Sequence, residues 1–147
     1  MAREKEGPMP LHLVVVTPEG EAFSETVEQV VLPGTEGDFG VLESHEKLLA
    51  PLKSGAMEIK LLDGRTEWAA ISDGFAEVIG TKVVVLVDEC FKAHEIDIDH
   101  ARLTQTEIMQ AIQRLQDGVG EAEHRTRLEH AAVRAAVHID VHTRHHA

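Results

Sequence analysis

The chain has 147 residues, 26 acidic and 14 basic side chains, a formal net charge of -12 and an aromatic content of 3%. That length suits one average domain or a small domain with an appendage, and an apolar share of 43% is too rich for a disordered chain. The acidic balance speaks against a nucleic-acid partner, whose phosphates need lysine and arginine, and the lone Cys90 closes no internal disulfide.

Residues 1–10 mix Arg3, Glu4, Lys5 and Glu6 with two prolines. They lack the apolar stretch of a signal peptide and read as a disordered lead, with a cytoplasmic or equivalent location. No run of about 18 apolar residues offers a membrane span. Leu11 to Thr17 is a β-branched run stopped by Pro18-Glu19-Gly20, which is turn chemistry. Phe23 to Leu32 alternates, with Val27, Gln29 and Val31 on one side and Thr26, Glu28, Val30 and Leu32 on the other. Pro33-Gly34 ends it, and a glycine-punctuated loop, Thr35 to Gly40, leads into a short strand. Leu48 to Leu52, Met57 to Leu62, Thr66 to Ser72, Phe75 to Ile79 and Val83 to Val87 are further strands, with Asp63-Gly64, Asp73-Gly74 and Gly80-Thr81-Lys82 as turns. Short strands at this spacing, with no helix between them, predict an antiparallel sandwich or barrel.

Composition changes near residues 88–96. Residues 1–90 carry 17 acids and 7 bases, the remainder 9 and 7, and eight of the ten histidines follow Cys90. Asp97 or Asp99 can cap a helix beginning near His100. Ile108, Ala111, Ile112, Leu115 and Val119 share one face of it. Asp117-Gly118-Val119-Gly120 reads as a break. A second helix then runs from Glu121 to about His142, with a stripe of Leu128, Ala131, Ala132, Ala135, Ala136 and Ile139. Alanine favours helix but buries little area, so a hairpin resting on this stripe adheres weakly.

Catalytic chemistry finds no support. Ser44-His45-Glu46 are neighbours in sequence, which is not triad geometry, and no nucleophile elbow surrounds them. Gly34, Gly37 and Gly40 lack the Lys-Ser/Thr and helix of a phosphate loop. His138, His142 and His146 recur at i, i+4, a spacing able to hold zinc or nickel. Without a buried shell, they read as a solvated end, and no metal site is assigned.

The order of elements carries a resemblance. Val16-Thr17-Pro18-Glu19-Gly20 with Phe23, then Val30 to Leu42 through Pro33-Gly34-Thr35-Glu36-Gly37-Asp38-Phe39-Gly40, then His45 and Leu48-Leu49-Ala50, resembles the epsilon subunit of bacterial F-type ATP synthase, called delta in mitochondria. Ile71 to Val78 and Val83 to Asp88 match its later strands, and the likeness covers about residues 11 to 117. It implies a ten-stranded antiparallel β-sandwich of two five-stranded sheets over residues 11–90, and a helical regulatory hairpin over 91–147.

The implied role is that of a non-catalytic central-stalk subunit. It would rotate with gamma and the c-ring, couple F1 to the c-ring in proton-driven ATP synthesis, and restrain ATP hydrolysis when the hairpin extends toward the alpha and beta subunits. Glu36, Gly37, Asp38, Phe39 and His45 are the implied gamma and c-ring contacts, and Arg125, Arg127 and Arg134 the implied contacts to alpha and beta. Some members bind regulatory ATP through an Ile/Leu-Asp-x-x-Arg-Ala motif. Ile98, Asp99 and Arg102 match its start, with Leu103 where the motif has alanine; the plainer reading is a helix cap and a surface arginine. No other cofactor is implied. The resemblance places the chain peripherally on the cytoplasmic side of a bacterial inner or plasma membrane, attached only through the complex. The alternative reading is an autonomous β-sandwich binding module with a protein-binding hairpin.

Overall fold

The computed structural model describes residues 9–115 and 119–147, with the side chains of Val119 and Gly120 outside that description. The expected disordered lead lies there only as Met9 and Pro10, both exposed. Among the described residues, nine strands are followed by two helices. The strands are β1 (Leu11–Thr17), β2 (Gly20–Gly34), β3 (Gly37–Gly40), β4 (Ser44–Leu52), β5 (Gly55–Leu61), β6 (Thr66–Ile71), β7 (Gly74–Gly80), β8 (Lys82–Val87) and β9 (Cys90–Lys92). A 3-10 turn, Ala93–Glu95, leads to α1 (Ile98–Gln113) and α2 (Val119–His145).

Nine strands replace the expected ten because β2 serves twice. Its first half, through Val27, pairs with β1, and its second half pairs with β5 and β3. Counted in each layer, it completes two five-stranded sheets: β2-β1-β8-β7-β4 and β3-β2-β5-β6-β9. The register slips between Val27 and Gln29. This bulge overrides the simple alternation read from sequence, since Val27 and Val30, expected on opposite sides, are both fully buried. Not every pair is antiparallel. β1 and β8 run parallel, with His12 to Val16 matched to Lys82 to Leu86. The sheet also continues through β9, which pairs with β6, so it extends beyond residue 90.

The core between the layers is aliphatic: Leu13, Val15, Val83, Val85 and Val78 from one side, Leu32, Met57, Ile59 and Ile71 from the other. Gly74 is required where β4, β7 and β8 meet. It pairs with Leu52 and Val87, and a Cβ there would run into the Leu86 carbonyl.

The Asp97 carboxylate caps α1, accepting from the His100 N–H at 3.0 Å. Asp97 rather than Asp99 therefore takes that role. Ala101 and Ile108 are buried, with Ala111, Ile112 and Leu115 half-buried beside them. Two helix expectations change. Val119 opens α2 instead of lining α1, and Gly120 lies within α2; Asp117 and Gly118 of the expected break lie outside the described residues. Ala136 is exposed, whereas Ala135 is buried and Leu128, Ala131, Ala132 and Ile139 are half-buried.

Gly74→Ala is expected to destabilise the chain by about 1–3 kcal/mol, because a backbone carbonyl cannot move aside cheaply. Urea denaturation measures this, and an unchanged midpoint would contradict the account.

Candidate functional site

A two-layer sandwich has two outer faces, and α2 covers one of them. Ala56, Trp68, Ala70 and Phe91 point outward from β5, β6 and β9, where they meet Val137 and the fully buried Val141 of α2 and, beside them, Ala93 and Ile96. The Phe91 and His138 rings lie 5.0 Å apart. The Arg134 guanidinium sits 5.3 Å from the Phe91 ring and donates to the Glu89 carboxylate at 2.7 Å. Arg144 lies over Trp68 at 5.1 Å. Alongside this seam a cavity of about 520 Å³ opens between Leu52, Ile71 and Phe91 of the sheet and Val133, Val137 and His138 of α2. The helix therefore rests on the sheet along a narrow line. Full burial of a valine such as Val141 contributes roughly 1.5–3 kcal/mol.

The opposite outer face, on β1, β8, β7 and β4, has no cover among the described residues. Leu49 (57% exposed), Phe75 (49%), Ile79 (52%) and Leu86 (40%) all lie on it. Register aligns them: Val16, Leu86, Phe75 and Pro51 form one row across the four strands, and Val14, Val84, Glu77 and Leu49 the next. The same alternation that buries Val83, Val85, Ala76 and Val78 inside turns these side chains outward. The face is mixed: Glu77, paired with Lys47 at 3.8 Å, and Lys82, opposite Ile79, lie among these apolar side chains. Exposed apolar residues ringed by polar ones in this way mark an interaction site. Sequence reasoning did not single out this face, although outward apolar residues such as Phe75 and Leu86 between inward ones were its available signal.

The residues expected to act together fall into separate places. Thr35-Glu36 form the tight turn between β2 and β3, with Gly37 at φ 126°, a conformation that favours glycine. Glu36, Gly37 and Asp38 are exposed, and Phe39 is half-buried against the core. His45 is exposed near the start of β4. The turn lies at the end of the sandwich where Gly34 meets Leu52 and Leu52 meets Gly74, while β4 begins where Ser44 meets Gly80. At about 3.3 Å per residue, His45 is on the order of 20 Å from the turn along the strands. The structure does not gather these five residues into one patch.

In the first turns of α1, Ile98 is half-buried and Asp99 and Arg102 are exposed. On α2, Arg127 and Arg134 are seven residues apart and share a face, whereas Arg125 points away from it. Arg127 approaches the His124 ring at 3.5 Å. Arg134 is engaged with Glu89 while α2 is docked. His142 and His146 lie 4.3 Å apart, ring to ring, and His145 and His146 4.9 Å, yet no group of three or more metal ligands assembles among the described residues. Burial pushes the Cys90 thiol up to about 11, aided by Glu95 and opposed by Lys92, so it stays protonated. No described helix is long and apolar enough to cross a membrane.

Residues 10–93 match the sequence model of a family described as ATP synthase, Delta/Epsilon chain, beta-sandwich domain. The chain belongs to this family. The ATP synthase epsilon chain of Nitratidesulfovibrio vulgaris is 39% identical over 127 residues, covering 86% of this chain and 94% of that relative. The chloroplastic ATP synthase epsilon chain of Cyanidioschyzon merolae is 32% identical over 120 residues, covering 80% and 89%. A chain from the Euglena gracilis mitochondrial ATP synthase, solved as an OSCP/F1/c-ring assembly, superposes with a TM-score of 0.72 at 24% identity, over 88% of this chain and 79% of that one. At that identity the superposition speaks for the fold.

Because the seam depends on Val141, Val141→Asp is expected to undock α2 and leave the sandwich folded. Trp68 is the only tryptophan and sits in the seam, so its emission maximum should move to longer wavelength. Arg134→Ala, which removes an exposed ion pair, should cost under about 1 kcal/mol. Equal effects of the two variants on docking would contradict this ranking.

Proposed function

We infer that the chain serves as the epsilon-type subunit in the central stalk of an F-type ATP synthase, coupling F1 to the c-ring in proton-driven ATP synthesis. It is a rotor component and performs no catalysis of its own. Family membership supports this role. The observation that carries it is the uncovered apolar face bearing Leu49, Phe75, Ile79 and Leu86. A stalk subunit must transmit torque through a surface that stays attached, and a broad apolar sheet face suits permanent attachment better than a polar loop does. We assign gamma to this face. The acidic turn at Glu36 and Asp38 is the proposed contact to polar loops of the c-ring, with His45 serving a separate contact at the other end of the sandwich.

The hairpin is the regulatory part. Docked, it holds Arg134 against Glu89. Extended, it would free Arg134 and carry it, with the already exposed Arg127 on the same face, to acidic surfaces of alpha and beta, and so restrain ATP hydrolysis. Arg125, on the other side of α2, would take a different contact. Asp99 and Arg102 at the start of α1 mark the proposed position of a regulatory ATP contact, since the cap belongs to Asp97. The chain would then sit peripherally on the membrane complex, on the cytoplasmic face of a bacterial inner or plasma membrane.

Reconstitution with gamma, alpha, beta and the c-ring tests the assignment. Phe75→Glu with Leu86→Glu should abolish assembly while leaving the free chain folded. Truncation after Ile96, which keeps β9 and the 3-10 turn, should assemble normally and raise ATP hydrolysis. Normal assembly of the double variant would overturn the gamma face. Failure of the unaltered chain to assemble would favour an autonomous binding module.

A further inference from the structure

The α2 seam contains titratable groups where a docking surface is ordinarily apolar. His138 is half-buried, its ring tilted 56° against Phe91 at 5.0 Å. One turn earlier on the same helix stands Arg134, and His130 lies a further turn back. From the sheet side Glu89 faces this group, and Asp73 and Lys53 line the same cavity. The 3-10 turn, which also packs against α2, carries the exposed His94 and Glu95. Further along, His142 is half-buried and is influenced by Arg102 and Asp99 of α1 as well as by His145 and His146.

We propose that proton uptake at His138 controls docking of the hairpin, so that acid releases α2 from the sheet and favours its extended form. This rests on reading the hairpin as a detachable regulatory unit. In the docked state a proton on His138 places a second cation beside Arg134, over an aromatic ring already occupied by that guanidinium. Glu89 offsets the second charge only in part, because its single negative charge is already shared with Arg134, from which both its oxygens accept, at 2.7 and 3.4 Å. In the released state the imidazolium regains water and moves away from the sheet. Neutral histidine suits the seam better than charged histidine.

The direction of the shifts agrees. Burial first, then Arg134, hold docked His138 below the ordinary histidine value of 6.5, against an opposing pull from Glu89. His142 moves the same way, through lost hydration and then the charges of His146, Arg102 and His145, with Asp99 opposing. A group lowered in the docked state stabilises docking above its free value. That contribution is lost as pH falls from about 6.5 through the lower docked value. Each unit of separation between the two values corresponds to about a tenfold change in the docking equilibrium.

Trp68 provides the readout in the full-length chain. Its emission maximum, followed from pH 7.5 to 5.0, is expected to move to longer wavelength while far-ultraviolet circular dichroism holds steady. His138→Phe keeps an aromatic ring on Phe91 without the charge and should suppress the movement, as should the neutral His138→Gln if the phenylalanine variant folds poorly. His142→Gln should retain most of it. An unmoved emission in the unaltered chain, or an undiminished movement in both His138 variants, would overturn the proposal. In the assembled synthase the same titration should strengthen restraint of hydrolysis as pH falls. An intact emission change with pH-independent hydrolysis would support the proton switch and overturn the regulatory reading instead.

Discussion

Strand β2 holds the molecule together by belonging to both layers. Its fifteen residues pair with β1 before the slip at Val27–Gln29 and with β5 and β3 after it, so the two sheets cannot slide or separate without breaking one continuous strand. At the far end of β2, Gly34 meets Leu52 of β4, and the circuit β1-β8-β7-β4-β2 closes on itself. Closure leaves few free edges. What remains is a rigid block with two outer faces, and one helical hairpin is available to cover them.

That inequality organises the rest. The face built by β5, β6 and β9 receives α2 over a line of small and aromatic side chains, Ala56, Trp68, Ala70 and Phe91. The other keeps Leu49, Phe75, Ile79 and Leu86 in solvent, a cost an isolated chain has no reason to bear. On the proposed reading, a permanent partner covers the open face, and a small, partly polar seam lets the hairpin leave. In an assembly that turns, these would be different demands: one surface holding under load, the other responding to conditions.

Much of this was legible in the sequence. The β-branched runs at Leu11–Thr17 and Val83–Val87, the turn pairs Asp63-Gly64 and Asp73-Gly74, and the change of composition near residues 88–96 located strands and helices to within a few residues. The glycine pattern around Glu36 to Gly40 carried the family resemblance, and the sandwich match over residues 10–93 agrees with it. What escaped was non-local. Parallel pairing of β1 with β8 joins segments about seventy residues apart and leaves no local trace. Strand β9 is three residues long, too short for a period. Helix α2 buries Ala135 on one face and Val141, six residues on, on another that packs on the sheet, and the alanine stripe hid the second. The site residues divided for a similar reason. Glu36 and His45 are nine positions apart in sequence, but β4 runs back along the block and carries them to opposite ends.

The central claim is that the open face of β1, β8, β7 and β4 is the surface by which the chain is held in the stalk. Hydroxyl-radical footprinting of the free chain and of the assembled synthase tests it directly. Leu49, Phe75, Ile79 and Leu86 should be oxidised readily in the free chain and protected in the assembly, while Leu62, exposed at the β5–β6 turn, should react equally in both. Undiminished oxidation of those four side chains in the assembly would contradict the account.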